Sequence, residues 1–360
     1  MINKKLSNKV LMIGVNYKKN AKGGMASVIQ NYDKIFEHLQ YITTWADSNL
    51  LYKILIFIKA YVCLFFILVF RKKIKILHFH SASNSSFKRI SLLIKLGNLF
   101  NKKIIIHIHG GGFIEFYNSS RNKCNILRAL NSCHRLIVLS NNWQNWFVSL
   151  GIDETKIYVL NNIINYPVLD NKTHIYAPKI RLLFLGNIIK QKGIFDLVQT
   201  IIENKSKYKD IVSLKIGGDK EIYKLNNIIK NNHIQNIIQY KGWVTGTKKI
   251  NLLNWCNIFI LPSYMEAMPI SILEAMSYNC CIIATKVGGI PDIVIPHKNG
   301  LLIAPQSKNK IEMAIDFFIN NPELIDKYGQ TSKEIIKNYY PDIVINKLKN
   351  IYYDLLKEDK

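Results

Sequence analysis

A chain of 360 residues is longer than one hydrophobic core usually serves, so two domains of roughly 150 to 180 residues each are expected. Its apolar content of 49% and charged content of 20% are those of a globular protein and exclude a disordered one. The net charge of +25 calls for an anionic partner, and six cysteines without a C-x-x-C or a His-paired metal spacing point to a reduced, cytosolic compartment rather than a disulfide framework.

The charge is uneven: residues 1–170 carry +16 and residues 171–360 carry +9. No nucleic-acid-binding motif accompanies the basic half, so an anionic lipid surface, and not nucleic acid, is the expected partner. The N-terminus has lysines but only a short apolar run over residues 10–15 and no cleavage site, so no signal peptide is expected.

Residues 9–15 read as a first strand, followed by Lys22-Gly23-Gly24-Met25 and a helical pattern to about residue 39. Glycines between a strand and a helix let backbone N–H groups approach a phosphate or sugar, although plain turns use them too. Residues 54–70 are the most apolar stretch, broken only by Lys59 and followed by Arg71, Lys72, Lys73 and Lys75. The stretch has the length and flanks of a membrane span, but spanning would tear the first strand from its sheet. A buried helix or an interfacial anchor is expected instead.

Residues 75–80 and 102–109 are further strands with a helix over residues 86–100 between them, the repeat of a parallel doubly wound sheet. The second of these strands ends in His107-Ile108-His109-Gly110-Gly111-Gly112, which puts His109 at the carboxyl end of a strand, where such sheets bind ligands. His107 is expected to point differently. Strands follow at residues 135–140 and 156–160, then a polar, turn-rich linker over residues 161–178. A second series opens with a strand at residues 181–186, Asn187, Lys190, Lys192, Gly193 and a helix to about residue 204. Strands at residues 214–218 and 237–242 come next, the latter leading into Trp243 and Val244.

The most informative stretch is Pro262-Ser263-Tyr264-Met265-Glu266-Ala267-Met268-Pro269-Ile270-Ser271-Ile272-Leu273-Glu274. An apolar strand at residues 257–261 precedes it and a helix over residues 270–278 follows, with Pro269 at its tolerated first turn. The loop offers free N–H groups and the positive end of a helix dipole to a phosphate, and a carboxylate on either side adds acceptors for hydroxyls. Beyond it lie a strand at residues 281–285, the turn Val287-Gly288-Gly289-Ile290-Pro291-Asp292, a last strand beginning near Asn299, and a terminal amphipathic helix over residues 341–356.

This stretch resembles the Glu-x7-Glu motif of retaining, nucleotide-sugar-dependent glycosyltransferases of family 4, of the kind that build bacterial capsule, exopolysaccharide and O-antigen chains. The resemblance covers most of the chain, most specifically residues 180–305. It implies an α/β protein of the GT-B fold: two Rossmann-like domains facing a cleft, residues 1–165 with about 341–360 for the acceptor and residues 175–340 for the nucleotide-sugar, the last helix crossing back to the first domain. It implies catalytic roles for His109, at the donor sugar, and for Glu266, at the sugar hydroxyls. Donor-binding roles fall to Gly23 and Gly24, to Lys192 at the diphosphate, to Val244 at the base, to Met268, Pro269 and Ile270 at the phosphates, and to Glu274 at the ribose. Three positions depart from the family pattern: Ala267 stands for Gly, Asn187 for an Arg and Asp292 for a Glu. The Asn removes one charge and a bidentate fork from the diphosphate, which Lys190 is placed to offset in part.

No D-x-D element sits at a strand end, so no metal or other cofactor is expected. The expected partners are a nucleotide-sugar donor, a lipid-linked saccharide acceptor and the anionic inner face of the membrane, with the protein cytoplasmic and peripherally attached. Two other readings stay open: a non-hydrolysing sugar-nucleotide epimerase of the same two-domain shape, and a non-enzymatic protein of the membrane surface.

Overall fold

The computed structural model describes residues 1–18, 21, 23–168 and 180–358. Lys22 of the glycine loop and the part of the expected linker from residue 169 to 178 lie outside the described residues. The chain divides into two compact units, Met1–Ile163 with Tyr339–Lys360, and Ile164–Asn338.

Unit 1 holds strands β1 (Val10–Val15), β2 (Tyr41–Trp45), β3 (Ile76–Ser81), β4 (Lys103–Ile108), β5 (Arg135–Val138) and β6 (Ile157–Val159). They form one parallel sheet in the order β2-β1-β3-β4-β5-β6. Unit 2 holds β7 (Ile180–Leu185), β8 (Val212–Gly217), β9 (Ile238–Tyr240), β10 (Ile258–Leu261), β11 (Cys281–Thr285) and β12 (Gly300–Ile303), also parallel, in the order β12-β11-β10-β7-β8-β9. Helices cover both faces of such sheets, so their inner strands are largely buried, and β10 and β11 are buried at every residue. The edge strand β2 breaks that rule. Its Tyr-Ile-Thr-Thr-Trp alternates between half-buried and buried, and it is not among the strands expected from sequence.

The terminal helix Pro341–Lys357 packs in unit 1, burying Val344, Leu348, Ile351, Tyr352 and Leu355 at three- and four-residue steps. The helix Leu50–Phe70 is a correction to the buried-helix alternative. Only Ala60, Leu64 and Leu68 of its 21 residues are buried.

Under the helices of unit 1 lies a layer of imidazoles. The register of β3 and β4 sets His80 opposite His107, and the period of two puts His78 and His109 on the same face. His107 therefore does not point away from His109, as expected from sequence; their ring centroids are 4.0 Å apart. Hydrogen bonds join Tyr352 Oη to His78 Nδ1 at 2.7 Å, His78 Nε2 to His107 Nδ1 at 3.3 Å, and His80 Nδ1 to His109 Nε2 at 2.9 Å. Tyr32, fully buried on the helix Gly24–Ile35, lies over the same rings.

Loss of hydration makes the charged form of each ring unfavourable there. Burial pulls His78 and His109 down to about 3, and His80 and His107 lie well below their usual value for the same reason, each disfavoured further by its neighbours. In the unfolded chain these rings take up protons below about pH 6.5, whereas the folded unit keeps them neutral. Stability therefore falls as pH drops through 6.5, by at most about 1.4 kcal/mol per pH unit for each ring, and is insensitive to them above pH 7. Denaturant titration of the full chain at pH 7.5 and 5.5 checks this: the midpoint for unit 1 is expected to be lower at pH 5.5. A midpoint that holds or rises contradicts a neutral buried layer.

Candidate functional site

In unit 2 the chain leaves β7 toward β8 and β9 at one edge, and leaves β10 toward β11 and β12 at the other. These two strands are neighbours, so the crevice outside their carboxyl ends is the topological switch point, where open α/β sheets bind ligands. Residues 186–193 and 262–269 are the two loops there.

The loop after β7 closes in a short 3-10 turn, Lys190–Lys192, and ends at Gly193, whose φ of +67° starts the helix Ile194–Glu203. A Cβ at Gly193 would lie 1.9 Å from the carbonyl oxygen of Pro262. The backbones of the two loops thus touch where no side chain fits between them. Tyr264 ties them again, its N–H donating to Gln191 O at 2.8 Å and its hydroxyl to Asp196 Oδ2 at 2.7 Å. On the other flank Gly288, at φ +53°, presses on Glu266, since a Cβ there would lie 1.7 Å from its carbonyl oxygen, and Gly289 N–H donates to Ala267 O at 2.7 Å.

This framing holds Glu266, which is 8% exposed. A carboxylate so buried is retained only if cations and donors replace its water. Lys192 Nζ lies 2.5 Å from Oε1 and Ser263 Oγ donates to the same oxygen at 2.8 Å, while Thr285 Oγ1 anchors Ser263 through its carbonyl. Oε2 accepts from neither. The helix Ile270–Ser277 follows, with Pro269 as its N-cap rather than inside its first turn, and no side chain caps it. The N–H groups of Ile270 and Ser271 precede the first intrahelical bond, which Ile272 makes to Pro269. One turn on, Glu274 pairs with Lys249 of the helix Gly246–Trp255 at 2.5 Å, both half-exposed. Val244 packs against the end of β8, where a Cβ on Gly217 would meet it at 2.9 Å. Asn187 sits half-buried at the exit of β7, Lys190 is exposed, and Asp292 ends the short turn Ile290–Asp292.

The structure therefore brings Lys192, Glu266, Met268, Pro269 and Ile270 together at one switch point, with Glu274 on the helix that starts there. His109, Gly23 and Gly24 belong to unit 1. Gly23 caps the helix Gly24–Ile35 at φ +108°, and a Cβ at either glycine would meet nothing within 4 Å among the described residues. His109 follows β4, held by its N–H to Ser81 O at 2.7 Å and by His80, and its Nδ1 is buried without a partner among the described residues.

Sequence reasoning misses three supporting residues. His80 carries a signal that could have found it, because His78-x-His80 mirrors His107-x-His109 on the next strand. Lys249 and Ser263 carry no such signal, being one lysine among many and one serine in a loop. His78, His80 and His107 bring ligand atoms within 4.8 Å of one another. The rings lie 15°, 20° and 34° from coplanar, and His78, His80 and His107 each spend a nitrogen on a hydrogen bond to Tyr352, to one another or to His109, so the layer is a hydrogen-bonded support for His109.

Because Gly288 combines a left-handed φ with a backbone contact, Gly288→Ala is expected to displace the Glu266 loop and destabilise unit 2 by at least about 1–2 kcal/mol. Thermal unfolding measures it. A variant as stable as the parent would show that the loop can yield.

Comparisons with known proteins agree with this architecture. Residues 166–335 match the family described as glycosyl transferases group 1, and residues 38–166 match the family described as glycosyltransferase family 4. An uncharacterized glycosyltransferase of Methanocaldococcus jannaschii is 27% identical over 265 residues, 71% of each chain. The capsular polysaccharide biosynthesis glycosyltransferase CapM of Staphylococcus aureus is 25% identical over 219 residues, 59% of this chain and 55% of its own. The solved structure of Anabaena HepE in complex with UDP is similar at a TM-score of 0.73 and 14% identity, over 97% of this chain and all of that one. With profiles of that kind spanning residues 38–335 and a six-stranded parallel sheet in each unit, the chain belongs to the family 4 glycosyltransferases of the GT-B fold.

Proposed function

We propose that this glycosyltransferase moves a sugar, with retention of anomeric configuration, from a nucleoside-diphosphate sugar to a lipid-linked saccharide at the cytoplasmic face of the membrane, in the building of a surface polysaccharide. The Lys192–Glu266 pair, beside an uncapped helix start at a switch point, carries this reading. An arriving diphosphate competes for Lys192 and meets the N–H groups of Ile270 and Ser271 and the positive end of the helix. Those groups stabilise the charge that develops on the leaving diphosphate. Glu266, relieved of Lys192, then keeps Ser263 and offers its other oxygen to the sugar hydroxyls.

Glu274 accepts from the ribose by exchanging Lys249 for two hydroxyls, and the backbone around Val244 receives the base. His109 brings a neutral imidazole to the sugar, with His80 fixing which of its nitrogens carries the proton. Gly23 and Gly24 contribute backbone N–H groups. Asn187 leaves Lys192 and Lys190 as the cations of their loop. The donor class is supported by the UDP complex of HepE and the polysaccharide by the name of CapM. The nucleotide-sugar is a substrate and no cofactor is needed, because lysine and backbone groups do at the diphosphate what a cation does elsewhere.

A panel of nucleotide-sugars, with and without a lipid-linked saccharide, tests the reading. Acceptor-dependent release of nucleoside diphosphate is expected. Interconversion of the sugar without acceptor would mean an epimerase, and silence with every donor would favour a binding protein.

Two further outcomes are expected of the active enzyme. Lys192→Ala and Glu274→Gln should raise the donor KM, while Glu266→Gln and His109→Ala should mainly lower kcat. Each loses a hydrogen bond involving a charged or buried group, roughly 1.5–3 kcal/mol, so effects of about ten- to a hundredfold are expected. Folded variants with near-parental kinetics would refute the assignments. Turnover should also survive prolonged treatment with chelator; loss of activity restored by magnesium or manganese would contradict the role given to Lys192.

A further inference from the structure

The helix Leu50–Phe70 is built unlike any ordinary surface helix. It is 21 residues long, about 31 Å, with a mean hydropathy of 2.5 over its most apolar 18 residues. Its buried residues Ala60, Leu64 and Leu68 follow one another at four-residue steps and make one narrow stripe. Leu51, Leu55, Ile58, Val62, Phe66 and Val69, at three- and four-residue steps, line the opposite side and are 38–75% exposed. Monomeric soluble proteins rarely leave so long an apolar face to water.

The stripe fastens the second half of the helix to unit 1, and a ring contact holds each end. Near its start, Lys53 Nζ lies 5.4 Å over the Trp45 ring of β2, and near its end Phe65 meets Phe100 edge-on at 5.9 Å. A helix pinned in this way cannot cross a bilayer without taking β2, with Thr43 and Thr44, into hydrocarbon, where an edge strand leaves its backbone unsatisfied. It can lie flat.

Charge decides what it lies against. From residue 48 to 114 the chain has no Asp or Glu and eleven Lys or Arg, and Arg71, Lys72, Lys73 and Lys75, directly after the helix, are all exposed. A second copy would bring an equally basic face to this one and be repelled. Anionic lipid headgroups match both the apolar face and its rim. Lys59, the one charge within the exposed apolar run, is long enough to reach the headgroups while its stem stays in the apolar layer.

We infer that Leu50–Phe70 is a monotopic anchor that lies in the interface of an anionic bilayer, its Leu55–Val62–Phe66 side toward the acyl chains and its Ala60–Leu64–Leu68 side on unit 1. The anchor gives the proposed membrane-borne acceptor its physical basis; only that purpose rests on the transferase reading, the helix geometry does not.

The full-length protein is sedimented with vesicles of phosphatidylcholine alone or with about one-third phosphatidylglycerol. Binding is expected to the anionic vesicles, and to weaken at high salt, where exposed charges are screened within a few ångströms. Val62→Glu with Phe66→Glu should reduce partitioning at least about tenfold without lowering the melting temperature, since both side chains are exposed. Replacing Arg71, Lys72, Lys73 and Lys75 by Gln should reduce it by about a hundredfold or more. Orientation is read by fluorophores on Leu51→Cys, Val62→Cys and Val69→Cys, in a background without Cys63 and Cys124, quenched by lipids brominated at set depths. Equal, shallow depths are expected.

Absence of binding to anionic vesicles at low salt, a stable dimer that hides these positions, or depths graded from one end to the other would each overturn the anchor. Donor turnover with a detergent-soluble acceptor, measured without vesicles, separates the two readings. Turnover without binding removes the anchor alone, and binding without turnover removes the transferase alone.

Discussion

The buried carboxylate of Glu266 is the constraint on which the second unit is arranged. A charge taken out of water is tolerable only where cations and donors stand at fixed distances, and Lys192 and Ser263 come from two different loops to meet it. Those loops approach closely enough only because Gly193 has no side chain to keep their backbones apart, and Gly288, in the turn after β11, lets a third backbone close on Glu266 from the other flank. The parallel pairing of β7 with β10 then brings both loops to the same edge of the sheet. Remove any of these and the pair separates. The ion pair is therefore a product of topology as much as of sequence.

What is legible follows from where the determining forces act. The strand, loop and helix around Glu266 can be read because each is local: a four-residue apolar strand, a proline before a helix, and glycines where a left-handed turn is needed. Strand β2 escapes because it is short, half-exposed and at an edge, so its residues look like those of a loop until β1 pairs with it. Lys249 escapes because its partner Glu274 lies 25 residues away and neither spacing nor composition couples them. The apolar run over residues 54–70 announces a helix but not its surroundings. Uniform hydropathy fits a core, a surface or a membrane equally, and only the packing of Ala60, Leu64 and Leu68 separates them. The error at His107 has a plainer cause: residues two apart on a strand share a face.

The imidazole layer shows how a polar group is kept in a dry place without charge. Stacked neutral rings exchange hydrogen bonds with each other and with Tyr352, and burial keeps them from taking up protons. Each ring is oriented by a hydrogen-bond partner as well as by packing. It ends at His109, whose Nδ1, like His80 Nε2 and His107 Nε2, is buried without a partner among the described residues.

The terminal helix also has a bearing on the order in which the molecule can be finished. Tyr352 completes the layer of unit 1, yet the ribosome delivers it only after the whole of residues 164–338, a delay of roughly 10–35 s at ordinary rates of synthesis. Throughout that interval the face that Val344, Leu348 and Ile351 will cover lies open, while the helix Leu50–Phe70 has long been made. The nascent chain thus holds its most apolar surface in readiness before its first unit is closed, because that unit waits for the helix Pro341–Lys357.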